Sequence, residues 1–242
     1  MIEKLPYFVF KDKRSLDYGL VISNKTVYKS AVRDVNVTSV PGRDGDLIID
    51  NGRYKNVSIG YDLQLISGMT PWSIPELAQI LKDWLLPEPG YFKLWDTYDP
   101  RYYRMAAFVD AVDVEQQLKE VGSLSLKVNC KPFRYSSDGQ QTITLTAAGD
   151  LYNGEAYPSK PYIKVTGSGN ITLTVNDTDY TLSAVSSSIE LDSEMMNAFS
   201  GTTNLNASFS GMDFPIFKPG INTISWTGTV SKVEIIPRWC CL

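Results

Sequence analysis

From Thr142 onward, apolar and hydroxyl side chains alternate along the chain, and this period of two constrains the fold more than any other feature. Thr142-Ile-Thr-Leu-Thr146, Tyr162-Ile-Lys-Val-Thr166 and Ile171-Thr-Leu-Thr-Val175 each place one face inward and one in solvent, as half-buried strands do. Tyr180-Thr-Leu182, Ile189-Glu-Leu191, Asn222-Thr-Ile-Ser-Trp226 and Lys232-Val-Glu-Ile-Ile236 continue the pattern. Turn sequences separate them: Gly167-Ser-Gly169, Asn176-Asp-Thr-Asp179 and Pro219-Gly220. About seven short strands predict a β-sandwich.

The preceding residues differ in kind. Residues 1–136 hold 18 Lys+Arg, 17 Asp+Glu and 14 Ser+Thr, whereas residues 137–242 hold 5, 10 and 26, giving charges of +1 and −5 that sum to the net −4. This shift, at the polar run Ser136-Ser-Asp-Gly-Gln140, predicts two domains, 1–136 and 137–242. The first is also rich in strand-like segments but contains one helical period, Leu77, Leu81, Trp84 and Leu85. A helix is expected from Ile74 to Leu86. Ser73 and Glu76 form a capping box, Trp72 packs on Leu77 as a staple, Pro75 sits in the first turn, and Pro87, Pro89 and Gly90 end it.

Composition removes several function classes. The chain has 43% hydrophobic and 21% charged residues, which suits a packed globular protein, and a net charge of −4, the wrong sign for holding a nucleic-acid backbone. Met1 to Pro6 carries no basic segment followed by an apolar stretch, and no window approaches a membrane span, so synthesis in the cytoplasm and no membrane partner are expected. Six N-x-Ser/Thr sequons, at Asn24, Asn36, Asn56, Asn170, Asn176 and Asn206, then carry little meaning. Cys130, Cys240 and Cys241 are an odd number without C-x-x-C spacing and read as free thiols.

Chemistry is sparse. The absence of histidine excludes Ser-His-Asp and Cys-His designs and the commonest transition-metal ligand. Carboxylate pairs remain as formal acid–base candidates: Asp96 with Asp99, and Asp44 with Asp46. Asp96-Thr-Tyr-Asp-Pro-Arg101 reads more simply as a turn. Asp44-Gly-Asp-Leu-Ile-Ile-Asp50 fails as a calcium loop because Ile48 and Ile49 stand where an oxygen ligand and a glycine are required, leaving a hairpin or tip loop. No phosphate-binding glycine loop occurs. No cofactor, metal or catalytic residue is expected. Tyr180, Phe209 and Trp226 are weighed as a stacking platform for sugar against ordinary core packing.

Several separated segments then point to one family. They are Ser15-Leu-Asp-Tyr-Gly-Leu-Val-Ile22, Val40-Pro-Gly-Arg-Asp-Gly-Asp-Leu47, Asp50-Asn-Gly-Arg-Tyr54, Leu81-Lys-Asp-Trp84 and Gly90-Tyr-Phe-Lys-Leu-Trp-Asp-Thr-Tyr-Asp-Pro100. Cys130-Lys-Pro-Phe-Arg-Tyr135, Leu191-Asp-Ser-Glu194 and Pro237-Arg-Trp239 follow in order. Over its whole length the chain resembles the distal tail proteins of siphophages and prophages that infect Gram-positive bacteria.

The resemblance implies a mainly β, non-enzymatic structural protein of the virion's tail tip or baseplate. Its first domain would be ring-forming with one α-helix, and its second a galectin-like β-sandwich projecting outward. The ring, by analogy a homohexamer, would join the tail tube and tape-measure proteins to the tail-associated lysin and the baseplate or receptor-binding proteins. A head-to-tail contact whose rotation closes generates such a ring. The extended, glycine-punctuated segment from Val40 to Tyr54 is the expected interlocking element, with Pro41, Arg43, Asp44, Asp46, Arg53 and Tyr54 as contact candidates. The alternative is a carbohydrate-binding module for host cell-wall saccharide.

Overall fold

The computed structural model describes residues 5–26, 30–66, 68–109 and 122–242. Met1 to Lys4, on which the expectation of a missing leader partly rests, lie outside them. The fold is mainly β, and among the described residues it contains a single α-helix. The chain divides into two compact units, one running to Arg134 and including Leu242, the other Tyr135–Cys241.

The first unit contains β1 (Phe8–Phe10), β2 (Lys13–Arg14), β3 (Leu20–Lys25), β4 (Arg33–Thr38), β5 (Leu47–Tyr54) and β6 (Val57–Leu65). After these come α1 (Ile74–Leu85), β7 (Phe92–Asp96), β8 (Tyr102–Ala107) and β9 (Ser123–Ser136). The main path of the sheet runs β2-β1-β7-β8-β9-β6-β3. Ile22 N in β3 donates to Pro6 O just before β1 at 2.8 Å, which draws the two ends of the sheet together.

β6 shows why this sheet holds. Its sequence Val-Ser-Ile-Gly-Tyr-Asp-Leu buries every second residue, Val57, Ile59, Tyr61 and Leu63, against the helix side. Helix α1 starts where the capping box predicts: Glu76 Oε2 accepts from Ser73 N at 2.9 Å and from Ser73 Oγ at 2.7 Å. Its buried face is Leu77, Ala78, Leu81, Trp84 and Leu85. Trp84 stacks on Phe8 at 5.5 Å and donates its Nε1 proton to Phe10 O at 2.9 Å, so the buried indole has no unsatisfied donor.

β4 and β5 stand apart from that sheet as a two-stranded hairpin, with Val37 opposite Ile48, Asn36 opposite Ile49 and Thr38 opposite Leu47.

The second unit contains β10 (Ile143–Leu145), β11 (Gly149–Asn153), β12 (Tyr162–Val175), β13 (Thr178–Val185), β14 (Ser188–Asp192) and β15 (Asn197–Ser200). Then follow β16 (Thr203–Asn204), β17 (Phe209–Ser210) and β18 (Gly220–Ile236). Strands β12 and β18 are long and pair with each other through both halves. The first half of β12 also pairs with β14, and its second half with β13. The two long strands thereby serve both layers of a β-sandwich, and Ile163, Val165, Ile171, Leu173, Val175, Ile224, Val233 and Ile235 pack in one core.

The sequence predicts two strands across 162–175 and two more across 222–236, with Gly167-Ser-Gly169 as a turn; the structure corrects this to one continuous strand in each case. The glycines mark register shifts between β12 and β18. A Cβ on Gly167 would lie 2.3 Å from Thr229 O, and one on Gly228, at φ +100°, 2.6 Å from Asn170 O. Close strand approach at a bend, not chain reversal, requires glycine here. The true reversal is the two-residue turn between β12 and β13, where Asn176 (φ 48°) and Asp177 (φ 62°) occupy the left-handed region that a type I′ hairpin needs.

Candidate functional site

The six contact candidates all fall on the β4–β5 hairpin, in two separate groups. Pro41, Arg43, Asp44 and Asp46 occupy the exposed tip, whereas Arg53 and Tyr54 lie at its root. Seven residue steps along β5, from Asp46 to Arg53, separate the groups by about 23 Å at ~3.3 Å per residue, so the structure does not bring them into one patch.

The root is a charge-paired collar. Asp34 Oδ2 accepts from Arg53 Nε at 2.7 Å and Asp34 Oδ1 lies 3.4 Å from Lys55 Nζ. Asp50 Oδ2 accepts from Arg33 Nε at 2.9 Å, and Arg33 Nη1 donates to Tyr54 Oη at 3.0 Å. The Arg53 hydrogen bond holds the Asp34 carboxyl below its ordinary range, and the Arg33 hydrogen bond does the same to Asp50. Both pairs are exposed and join strand to strand.

Above the collar the ribbon becomes apolar and stays exposed. Ile48 is 65% exposed, opposite Val37 at 60%, on one face, while Leu47 and Ile49 point the other way. A ribbon with aliphatic side chains open on both faces lacks the packed face that stabilises an isolated hairpin. The tip is locally fixed: Arg43 N donates to Val40 O at 3.1 Å, with Pro41 second and Gly42, at φ +78°, third in a type II turn.

The other carboxylate candidates, Asp96 and Asp99, line an open cavity of about 440 Å³ in the first unit together with Lys25, Tyr61, Tyr98, Arg104 and Arg134. Asp96 Oδ2 accepts from Lys25 Nζ and from Tyr61 Oη, each at 2.6 Å, and Asp96 Oδ1 accepts from Tyr98 N at 3.0 Å. Burial first, then the neighbouring Asp96 charge, pushes the Tyr61 phenol well above its ordinary pKa, so it serves as a proton donor to the carboxylate. Asp99 Oδ2 accepts from Arg134 Nη1 at 2.7 Å, and the Arg134 guanidinium lies 4.9 Å over the Tyr102 ring. Each carboxylate therefore faces a cation, an arrangement suited to a rigid polar recess rather than to an acid–base pair. Sequence reasoning missed Lys25 and Tyr61, which stand 71 and 35 residues from Asp96.

In the second unit the weighed aromatics pack on the core, Tyr180 buried and Phe209 and Trp226 half-buried. Tyr180 is buried and stacked on Phe209 at 6.0 Å, Phe209 stacks on Phe214 at 4.4 Å, and Trp226 packs against the core. The exposed aromatic is Tyr152, 71% exposed, opposite Ile221 on β18. Two segments singled out in the sequence do meet: Arg238 donates from Nη1 and Nη2 to Asp192 Oδ1 and Oδ2 at 2.8 and 2.9 Å. Burial alone would raise the Asp192 carboxyl, but this fork and the Met195 and Glu194 amides hold it below its ordinary range.

Cys130, Cys240 and Cys241 are thiols outside any disulfide, and burial pushes the first two up to about 12, far from reactive thiolates. Among the described residues no cluster of three or more metal-ligating side chains occurs, and no helix is long and apolar enough to cross a membrane.

No protein-family model and no curated protein matches the chain. Among solved structures it is similar in fold to the Dit protein of phage SPP1, described as a paradigm of the hub adsorption apparatus in phages that infect Gram-positive bacteria. That likeness has a TM-score of 0.65 at 12% identity and covers 96% of this chain and 98% of the other.

Proposed function

We propose that this protein is a structural subunit of a bacteriophage tail tip or baseplate, assembled as a ring through its first unit. The observation that carries the reading is the end-to-end fold likeness to a phage hub protein, spanning both units rather than one shared module. The β4–β5 hairpin supports it independently. Its aliphatic side chains are exposed on both faces, and such a ribbon is best explained by burial against another subunit. A head-to-tail contact of this kind closes into a ring when the rotation permits, and six copies are expected.

In this reading the ring joins the tail tube and tape-measure proteins on one side to the tail-associated lysin and the receptor-binding or baseplate proteins on the other. The protein then resides in the virion and acts without catalysis. Light scattering across a concentration series tests the ring: a mass near six times 27.0 kDa is expected. A monomer at every concentration, with and without a tail partner, would sink it.

A carbohydrate-binding role for the second unit draws on one feature, the exposed Tyr152 sharing a strand face with Asp150. Titration with host cell-wall polysaccharide tests it. A Tyr152 signal unmoved at millimolar sugar discards it.

A further inference from the structure

We propose that Asn51, followed by Gly52, is a site of spontaneous deamidation at the root of the β4–β5 hairpin, and that the fold leaves it open to a reaction it suppresses at Asn153. The site stands on the hairpin's own geometry, whether or not the hairpin joins subunits.

Asparagine before glycine is reactive because no side chain shields the following backbone nitrogen. That nitrogen attacks the side-chain carbonyl carbon Cγ. An N–C bond forms, the Cγ–Nδ2 bond breaks, and the proton given up by the nitrogen leaves with the amine as ammonia. Water then opens the cyclic imide at either carbonyl, giving aspartate or, where the backbone now runs through the side chain, isoaspartate. Nothing is oxidised or reduced, and solvent water is the sole co-reactant.

The chain has two Asn-Gly pairs, Asn51-Gly52 and Asn153-Gly154, and the fold treats them oppositely. Asn153 is 1% exposed, donates from Nδ2 to Tyr157 O at 3.1 Å and accepts at Oδ1 from Glu155 N at 3.0 Å. Its carboxamide is fixed on both sides and closed to water. Asn51 and Gly52 are both exposed. They also leave the regular ladder: Val35 faces Asp50 and Arg33 faces Tyr54, so Asp34 alone stands opposite Asn51, Gly52 and Arg53. Such a bulge interrupts the pairing that holds strand backbone rigid. Gly52 sits at φ +72°, and a Cβ there would meet nothing within 4 Å, so the backbone has room to turn.

Both reacting groups are engaged in the sense that the step needs. Gly52 N donates to Asp50 Oδ1 at 3.0 Å, a carboxylate placed to take the proton as attack begins. Asn36 Nδ2 donates to Asn51 Oδ1 at 3.4 Å, which draws electron density from the attacked carbonyl.

The product alters the collar. Arg53 first, and the Asn51 amide after it, hold the Asp34 carboxyl below its ordinary range. Deamidation puts a like charge toward Asp34 in place of a donor. Isoaspartate also lengthens the β5 backbone at the bulge.

Incubation of the full chain at mildly alkaline pH, with mass analysis of proteolytic fragments over time, reads both sites in one sample. Asn51 is expected to convert at least about tenfold faster than Asn153, whose side chain reacts only after local opening. An isoaspartate-specific methyltransferase should label the fragment that holds residue 51. Asn51→Gln keeps the amide but needs a larger ring for the same attack, and the acidic species that accumulates in wild-type protein should be missing from this variant. A peptide of residues 46–56 supplies the unrestrained rate, and the folded chain's Asn51 is expected within about tenfold of it. An Asn51 no faster than Asn153, or slower than the peptide by more than that factor, overturns the proposal, because the collar would then lock the carboxamide as firmly as burial does.

Discussion

Two antiparallel ribbons in this molecule share a composition and differ in their fate. β12 and β18 alternate aliphatic with hydroxyl or charged residues, and their inward aliphatic side chains enter one core, Leu173 and Val165 completely buried and Val230 partly. β4 and β5 carry Val35, Val37, Leu47, Ile48 and Ile49, none of them in a hydrophobic core. Strict alternation lets the first pair put all its apolar area on one face. In the second, three consecutive aliphatic residues, Leu47 to Ile49, put apolar area on both. A sheet with one apolar face is completed within its own unit, whereas a ribbon with two needs something outside it.

That contrast can be broken in order of effect. Leu173→Ala removes a fully buried side chain and is expected to cost about 3 kcal/mol in denaturant unfolding of the second unit; a cost under about 1 kcal/mol would mean that this core is loosely packed. Gly167→Ala places a Cβ 2.3 Å from Thr229 O and is expected to cost about 2 kcal/mol and to splay the bend. A neutral result would show that the two long strands do not approach closely there.

Asp192→Asn breaks the Arg238 fork and is expected to cost about 1–2 kcal/mol at neutral pH. The folded carboxyl titrates below its unfolded value of about 3.9. The fork's contribution is therefore present above that pH and lost as pH falls through the folded value. A wild-type minus variant stability difference that persists undiminished at the lowest attainable pH would contradict the assignment.

Smallest in the isolated subunit is Ile48→Thr, expected to change unfolding by no more than about 0.5 kcal/mol because the side chain is 65% exposed. On the proposed ring reading its effect belongs to assembly, as does that of deleting Arg43 to Asn51. That deletion should weaken the proposed ring while leaving the second unit's unfolding transition in place, and an intact ring from the shortened chain would remove the hairpin from the interface.

Much of the local structure was legible from the sequence. The helix follows from Ser73, Glu76 and the Leu77, Leu81, Trp84 period because capping and amphipathicity act within one or two turns. The strands follow from alternation for the same reason. Misreading began where one residue type serves two purposes: Gly167 looks like a turn residue, and only the partner strand's Thr229 carbonyl reveals a close approach. The contact candidates were chosen from one stretch of sequence, which hid that the tip and root of a ribbon lie far apart. Asp96 and Asp99 were visible as carboxylates, but Lys25, Tyr61 and Arg134, which decide what those carboxylates do, are distant in the chain.

The unburied aliphatic run of β5 also bears on how such a subunit survives before it is used. Leu47-Ile48-Ile49 combines high strand propensity with no charge of its own, the makings of a segment that recruits other chains into insoluble aggregates. Asp46 and Asp50 stand immediately on either side of it and act as gatekeepers. The price of an aliphatic ribbon left open, as the proposed assembly role requires, is thus a standing precipitation hazard, held in check by two carboxylates. Neutralising both should turn a storable protein into one that clouds on standing, well before its fold is disturbed.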